Sequence, residues 1–210
     1  MFSYKESNSE INNELNNNFY EFPIDLFTNI KFISNAYYIL GNSYYNGDVF
    51  MRNYSIARYF YDLSIILNNS NAYVMLGIMH ENGYGITKDY KLAKDFYKIS
   101  VRIDNNAEGL FRIGFLYYNG KGVDVDYREA EKYFDLSAKQ GCGYGYFYLG
   151  ILYNDGFDKD LSLSIKMFTL ACEKNCPEAF TMLGIFYEQG ISFKQDYSKA
   201  IEMYQTAMKL

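Results

Sequence analysis

Tryptophan is absent, proline occurs twice, histidine once and cysteine three times in 210 residues, and each scarcity excludes something. With only Pro23 and Pro177, helices can run without internal breaks. A single His80 leaves no histidine pair for metal binding or acid–base chemistry. Cys142, Cys172 and Cys176 are an odd number, which cannot close a full disulfide framework. The polar N-terminus, MFSYKESNSEINNELNNN, lacks the basic start and apolar middle of a secretory signal. Together these predict a reducing, cytoplasmic setting. No run of 18 apolar residues offers a membrane span. Basic residues are also too few and too scattered for nucleic acid: Lys+Arg number 20 against Asp+Glu 25, for a net charge of -5. Phosphate backbones call for a concentrated basic surface.

Aromatic mass, by contrast, is plentiful. Tyr and Phe number 24 and 17, in a sequence that is 49% hydrophobic. Residues 1–18 are rich in Asn, Ser and Glu with few apolar side chains, and are expected to be a disordered tail. In residues 19–34, Phe22, Leu26, Phe27, Ile30 and Ile33 recur at steps of three and four, which predicts an amphipathic helix capping the rest of the chain.

From Asn35 onward the sequence repeats itself. Gly41, Gly77, Gly114, Gly150 and Gly184 stand 36, 37, 36 and 34 residues apart. Small residues precede them by five (Ala36, Ala72, Gly109, Gly145, Ala179), and a ring follows by three (Tyr44, His80, Tyr117, Tyr153, Tyr187). A second glycine follows by six: Gly47, Gly83, Gly120, Gly156 and Gly190. A glycine inside a helix costs roughly 1 kcal/mol against Ala, so five in register predict close helix approach. The second glycine falls where a left-handed residue would end that helix.

A second helix is then predicted to start at Asn53-Tyr54, Asp89-Tyr90, Asp126-Tyr127, Asp160-Leu161 and Asp196-Tyr197, with Asp or Asn as the cap. Within it the series Ala57/Ala93/Ala130/Ser164/Ala200, Tyr61/Tyr97/Phe134/Phe168/Tyr204 and Ser64/Ser100/Ser137/Ala171/Ala207 alternates small, large and small on one face. Asn68, Asp104, Gly141 and Asn175 are predicted to end it.

The LG-then-Tyr-then-Gly strings LGNSYYNG, LGIMHENG, IGFLYYNG, LGILYNDG and LGIFYEQG, with DYKLA, DYREA and DYSKA, resemble the Sel-one-like repeat family, relatives of the tetratricopeptide repeat. The expected fold is all-α: an α-α superhelix, or solenoid, of about five helix-turn-helix repeats (35–70, 71–105, 106–141, 142–175 and 176–210) plus the N-terminal capping helix. The resemblance implies a right-handed array serving as a scaffold for protein partners. Two repeats depart from the pattern. Val49 replaces the usual second turn glycine of the first, and the fourth has a turn two residues shorter, with Ser164 in place of Ala.

No catalytic, cofactor or metal site is expected. His80 occupies a tyrosine column and reads as a packed ring. Three cysteines with no adjacent His fall short of a zinc set and read as buried small residues, a Cys172–Cys176 or Cys142–Cys172 bridge being the alternative. The turn glycines of NGYGI and NGKGV are not followed by Lys-Ser/Thr, so they form no phosphate loop.

The remaining candidate is a surface. By the resemblance, positions three before, one after and four after the anchor glycine line the concave face. The candidate partner-binding residues there are Tyr38, Asn42, Tyr45, Glu81, Phe111, Phe115, Tyr118, Phe147, Asn154 and Glu188. These side chains either meet a protein or peptide partner or fill space between first helices. A column of Asn46, Asn82, Asn119, Asp155 and Gln189 either grips a peptide backbone or caps helix ends. The expected protein is thus a non-enzymatic adaptor. Two other possibilities are a ligand-binding or hydrolase-like protein of the cysteine-rich kind, and end-to-end self-association through Ile201, Tyr204 and Met208.

Overall fold

In a computed structural model the described residues are 23–156 and 159–210; the expected tail 1–18 and residues 19–22 lie outside them. Among the described residues there are ten helices and no strand. They are α1 (Pro23–Asn46), α2 (Tyr54–Ile66), α3 (Ser70–Asn82), α4 (Tyr90–Asp104), α5 (Ala107–Asn119), α6 (Tyr127–Lys139), α7 (Gly143–Asp155), α8 (Leu161–Glu173), α9 (Pro177–Gln189) and α10 (Tyr197–Ala207). The chain divides into two compact units, Met1–Asn69 and Ser70–Leu210. The first holds the pair α1/α2. The second holds four pairs, in which each second helix packs on the next pair's first helix. Within the described residues the stretch expected to cap the array is continuous with the first repeat helix, because α1 runs unbroken for 24 residues from Pro23 to Asn46. No helix-breaking residue stands between Ile33 and Asn35 to divide it.

The glycine column has the predicted cause. The second-helix ring of each pair lies directly over the anchor glycine: Tyr61 on Gly41, Tyr97 on Gly77, Phe134 on Gly114, Phe168 on Gly150 and Tyr204 on Gly184. A Cβ on Gly114 would sit 2.8 Å from Phe134, and one on Gly150 2.6 Å from Phe168, both inside van der Waals contact. The first four of these rings are wholly buried. Within the second unit, Gly109 and Gly145 of the column five residues upstream perform the corresponding task between pairs. A Cβ on Gly145 would meet the Ala138 nitrogen at 2.6 Å, so α7 lies backbone-close to α6.

The turns are clamped twice. Asn53, Asp89, Asp126, Asp160 and Asp196 accept N–H bonds from the first turn of the second helix through their side chains. The same residues donate their backbone N–H to Tyr44, His80, Tyr117, Tyr153 and Tyr187 at 2.9–3.1 Å. The ends of the second helices follow the expected left-handed conformation at Asn68, Gly141 and Asn175. In the second repeat the conformation falls on Asn105 (φ 54) and not on Asp104, because the extra residue of its 37-residue period falls at the end of α4, which runs 15 residues where α2, α6 and α8 run 13. Val49 is not among the left-handed residues, whereas Gly85, Gly122 and Ser192 at its position are, so the first turn does take a different course.

Candidate protein-binding face

The expected face residues divide into those spent inside the array and those still open to solvent. Glu81, at the end of α3, is 3% exposed. It accepts the Tyr97 hydroxyl at 2.8 Å and faces Lys121 Nζ at 3.5 Å and Arg112 Nη1 at 4.0 Å. Arg112 is itself held by Glu108 at 2.7 Å. Burial, with the Glu81 carboxylate beside it, pushes the Tyr97 hydroxyl far above the usual range. Glu188 likewise accepts the Tyr204 hydroxyl (2.7 Å), though it stays exposed, and Asn42 accepts that of Tyr61 (2.7 Å). In the second and fifth repeats, where the ring over the glycine is Tyr97 or Tyr204, the helix end opposite carries Glu; where it is Phe134 or Phe168, that position holds Tyr118 or Asn154, and the first repeat departs, with Tyr45 there and Asn42 as the acceptor for Tyr61.

Of the two alternatives for Phe111, its 5% exposure matches the filling of space between first helices. Tyr144 and Tyr148 from α7 cross to it, with ring centroids 5.4 and 5.5 Å away. Tyr148 also meets Phe115 (5.3 Å), Tyr118 (5.6 Å) and Phe134 (5.2 Å), and so seals the seam between α5 and α7. Such ring pairs add roughly 0.5–1.5 kcal/mol each beyond area burial, which makes this seam a rigid joint. Phe115, Tyr118 and Phe147 remain half-buried at its edge, Phe147 leaning on Phe168 (5.7 Å). In the first unit Tyr38 and Tyr45 are half-buried too, against Tyr61 (6.3 Å) and Tyr54 (5.5 Å). Asn154 is half-buried and donates to Asp155 at 2.9 Å.

Arg112, Tyr148, Tyr144 and Lys121 are absent from the sequence-derived face. The signal for them is present in part: two residues before each anchor glycine stand Ile39, Met75, Arg112, Tyr148 and Met182. The two non-aliphatic members of that column, Arg112 and Tyr148, both reach the preceding repeat.

Other expectations are resolved by geometry. His80 stacks on Phe96 (5.5 Å, 20°), as Tyr44 does on Phe60 and Tyr117 on Tyr133. The asparagine column serves helix ends, with Asn82 and Asn119 donating to the carbonyls of Ile78 and Phe115 at 2.9 Å. All three cysteines are free thiols. Cys142 and Cys176 stand at the N-caps of α7 and α9 without a capping bond, the place where Asn106 caps α5 by accepting from Gly109 N–H. Burial pushes the Cys172 thiol up to about 11 and the Cys176 thiol up to about 12, so both resist ionisation. Among the described residues no His, Cys, Asp and Glu cluster is arranged to hold a metal ion, and no helix is long and apolar enough to cross a membrane. Of the residues expected at an apolar end, Ile201 and Met208 are exposed and Tyr204 is half-buried over Gly184.

A family model described as Sel1 repeat matches residues 34–69, 70–102, 107–142, 143–176 and 177–210. The chain belongs to the Sel1 repeat family. Its repeat boundaries coincide with the helix pairs, the first repeat falling in the first unit and the other four in the second. Among solved structures it resembles a Sel1 repeat protein from Oxalobacter formigenes, with 24% identity, a TM-score of 0.73, and coverage of 95% of this chain and 83% of that one. It also resembles a protective antigen of uropathogenic Escherichia coli that displays the same repeat fold (23% identity, TM-score 0.63), covering 84% of this chain but 38% of that one. An immunity protein from Pseudomonas aeruginosa is a third (18% identity, TM-score 0.64), with 83% of this chain and 64% of that one covered. No curated protein matches the sequence. Sel1 repeats are commonly scaffolds for protein interaction and are generally non-catalytic.

Proposed function

We propose that this protein is a non-enzymatic adaptor whose protein or peptide partner docks on the first-helix face of the third and fourth repeats. The observation that carries the reading is the aromatic seam of α5 and α7. Phe115, Tyr118 and Tyr148 are locked edge to face by their neighbours, yet are only half-buried, and Tyr144 at the same seam is 38% exposed. Rings already fixed in place lose little conformational freedom on binding, and tyrosines flanked by polar groups make effective anchors. Polar residues border the seam, with Lys121 over the Phe115 ring at 5.0 Å and Tyr144 donating to Glu178 at 3.2 Å. The opposite, second-helix surface carries mixed charges such as Lys132, Lys139 and Asp135 engaged in exposed pairs, which contribute little.

Site-specific photo-crosslinking tests the assignment. A benzophenone side chain placed at position 144 or 118 should capture the partner in cells, and one at exposed Leu136 on the other surface should not. Equal capture from Leu136, or capture from there alone, would refute the assignment of the face.

A further inference from the structure

Compared across repeats, equivalent second-helix positions mix signs, as at Arg58, Lys94 and Glu131, but one helix is basic along its own length. Basic and acidic side chains are equal in number on α2, α8 and α10, with one of each, and on α6, with three of each. α4 carries four basic residues against two acidic ones. Its cations, Lys91, Lys94, Lys98 and Arg102, follow one another at steps of three, four and four residues, so they share one stripe of the helix. That stripe runs about 16 Å along the helix axis.

Like charges at these separations repel one another and work against the helix, so the stripe calls for a compensating charge. The fold does not supply it. Among the described residues none of the four cations forms an ion pair, whereas Arg58 pairs with Asp62 on α2, and Lys132 with Glu129 and Lys139 with Asp135 on α6. Of the acids on α4, Asp104 accepts the Ser70 hydroxyl at 2.7 Å. Asp95 borders the stripe without pairing to any of its cations, which leaves the stripe an excess of positive charge. Lys91, Lys98 and Arg102 are exposed. Lys94 is half-buried, its ammonium 5.9 Å from the Tyr117 ring, which stacks on Tyr133 of α6.

A short line of carboxylates fits this surface better than an extended anionic one. A bilayer or a duplex would meet the charge of the whole chain, which is -5. A short acidic segment feels chiefly the charges within the screening length, about 8–10 Å at physiological salt, and along α4 those are positive. The planar guanidinium of Arg102 also suits a carboxylate, which it can hold through two parallel hydrogen bonds.

We propose that α4 is a docking ridge for an acidic segment of a protein partner, with Lys91, Lys98 and Arg102 meeting its carboxylates. The ridge lies on a second helix of the second repeat, apart from the α5–α7 seam, and gives an adaptor another surface for a partner. It stands on the α4 charges and does not rest on the seam. A fluorescein-labelled peptide of alternating Glu and Ser, titrated with the full chain at low salt and followed by anisotropy, should bind saturably. The Gln–Ser peptide should not. Lys98→Gln/Arg102→Gln should weaken binding by about tenfold, with circular dichroism unaltered and the urea midpoint at or above the parent's. Lys132→Gln/Lys139→Gln removes the same charge from α6 and should leave binding within about twofold, because those lysines are already paired. Absence of saturable binding, or an equal loss in the two double variants, would overturn the ridge. Tighter binding to phosphatidylserine vesicles or to duplex DNA, lost in Lys98→Gln/Arg102→Gln, would overturn the acidic protein segment as its occupant. Crosslinking from positions 144 and 118 does not involve α4, so failure of either test leaves the other standing.

Discussion

Replacing Glu81 with Ala removes the acceptor on which a wholly buried tyrosine depends. The Tyr97 hydroxyl, 2.8 Å from Glu81, would then lie in a site its own ring seals from water. An unsatisfied buried donor costs about 1–3 kcal/mol. Removing the one buried methylene costs about 0.8 kcal/mol more. Neither cation is stranded by the change, because Arg112 keeps Glu108 at 2.7 Å and the Lys121 side chain is 35% exposed. Glu81→Ala should therefore destabilise the fold by about 2–4 kcal/mol, overlapping the range for breaking a buried charged contact.

Tyr97→Phe alone should cost about 1.5–2 kcal/mol, the value of a hydrogen bond to a charged group. In the Glu81→Ala background the sign should change. Deleting the orphaned hydroxyl should be neutral or stabilising by about 1 kcal/mol, giving a coupling of about 1.5–3 kcal/mol. Urea unfolding of the four proteins, followed by far-ultraviolet circular dichroism and tyrosine fluorescence, measures the cycle. Two probes are needed because repeat arrays can unfold in steps. If Tyr97→Phe costs the same in both backgrounds, the Glu81–Tyr97 contact does not couple the two helices.

The packing leads to three further outcomes. Gly145→Ala should destabilise by about 1–2 kcal/mol, because the new Cβ meets α6 backbone and overpacking outweighs the helix propensity gained. Ala179→Gly in the same column should also destabilise, and urea midpoints report both. Cys142→Asn should stabilise by about 1 kcal/mol by supplying the missing cap of α7, seen as a higher melting temperature. Stability should also fall in alkali. The Cys172 and Cys176 thiols are pushed up to about 11 and about 12 by burial. The Tyr144 and Tyr153 hydroxyls are pushed up to about 12, first by burial and then by Glu178 and Glu131 respectively. Groups raised in the fold favour it fully below their unfolded values of about 8.5 for Cys and about 10 for Tyr, and lose that contribution as pH climbs towards 11–12. A urea midpoint that held or rose above pH 9 would contradict this.

The sequence by itself determined the repeat. Glycine under a ring, Asp or Asn at each second-helix cap and Gly or Asn at helix ends recur because each meets a local steric or hydrogen-bonding demand, and local demands are written where they act. Even the pairing of Tyr97 and Tyr204 with Glu81 and Glu188 stands in the columns, since both partners lie within one repeat. Tertiary structure decided which of the face residues remained open. Phe111 is covered, and the α5–α7 seam formed, by Tyr144 and Tyr148 from the next repeat, and Glu81 is enclosed by Arg112 and Lys121 from the next. These contacts depend on how closely successive pairs approach, a distance set by Gly109 and Gly145 together with every ring they admit.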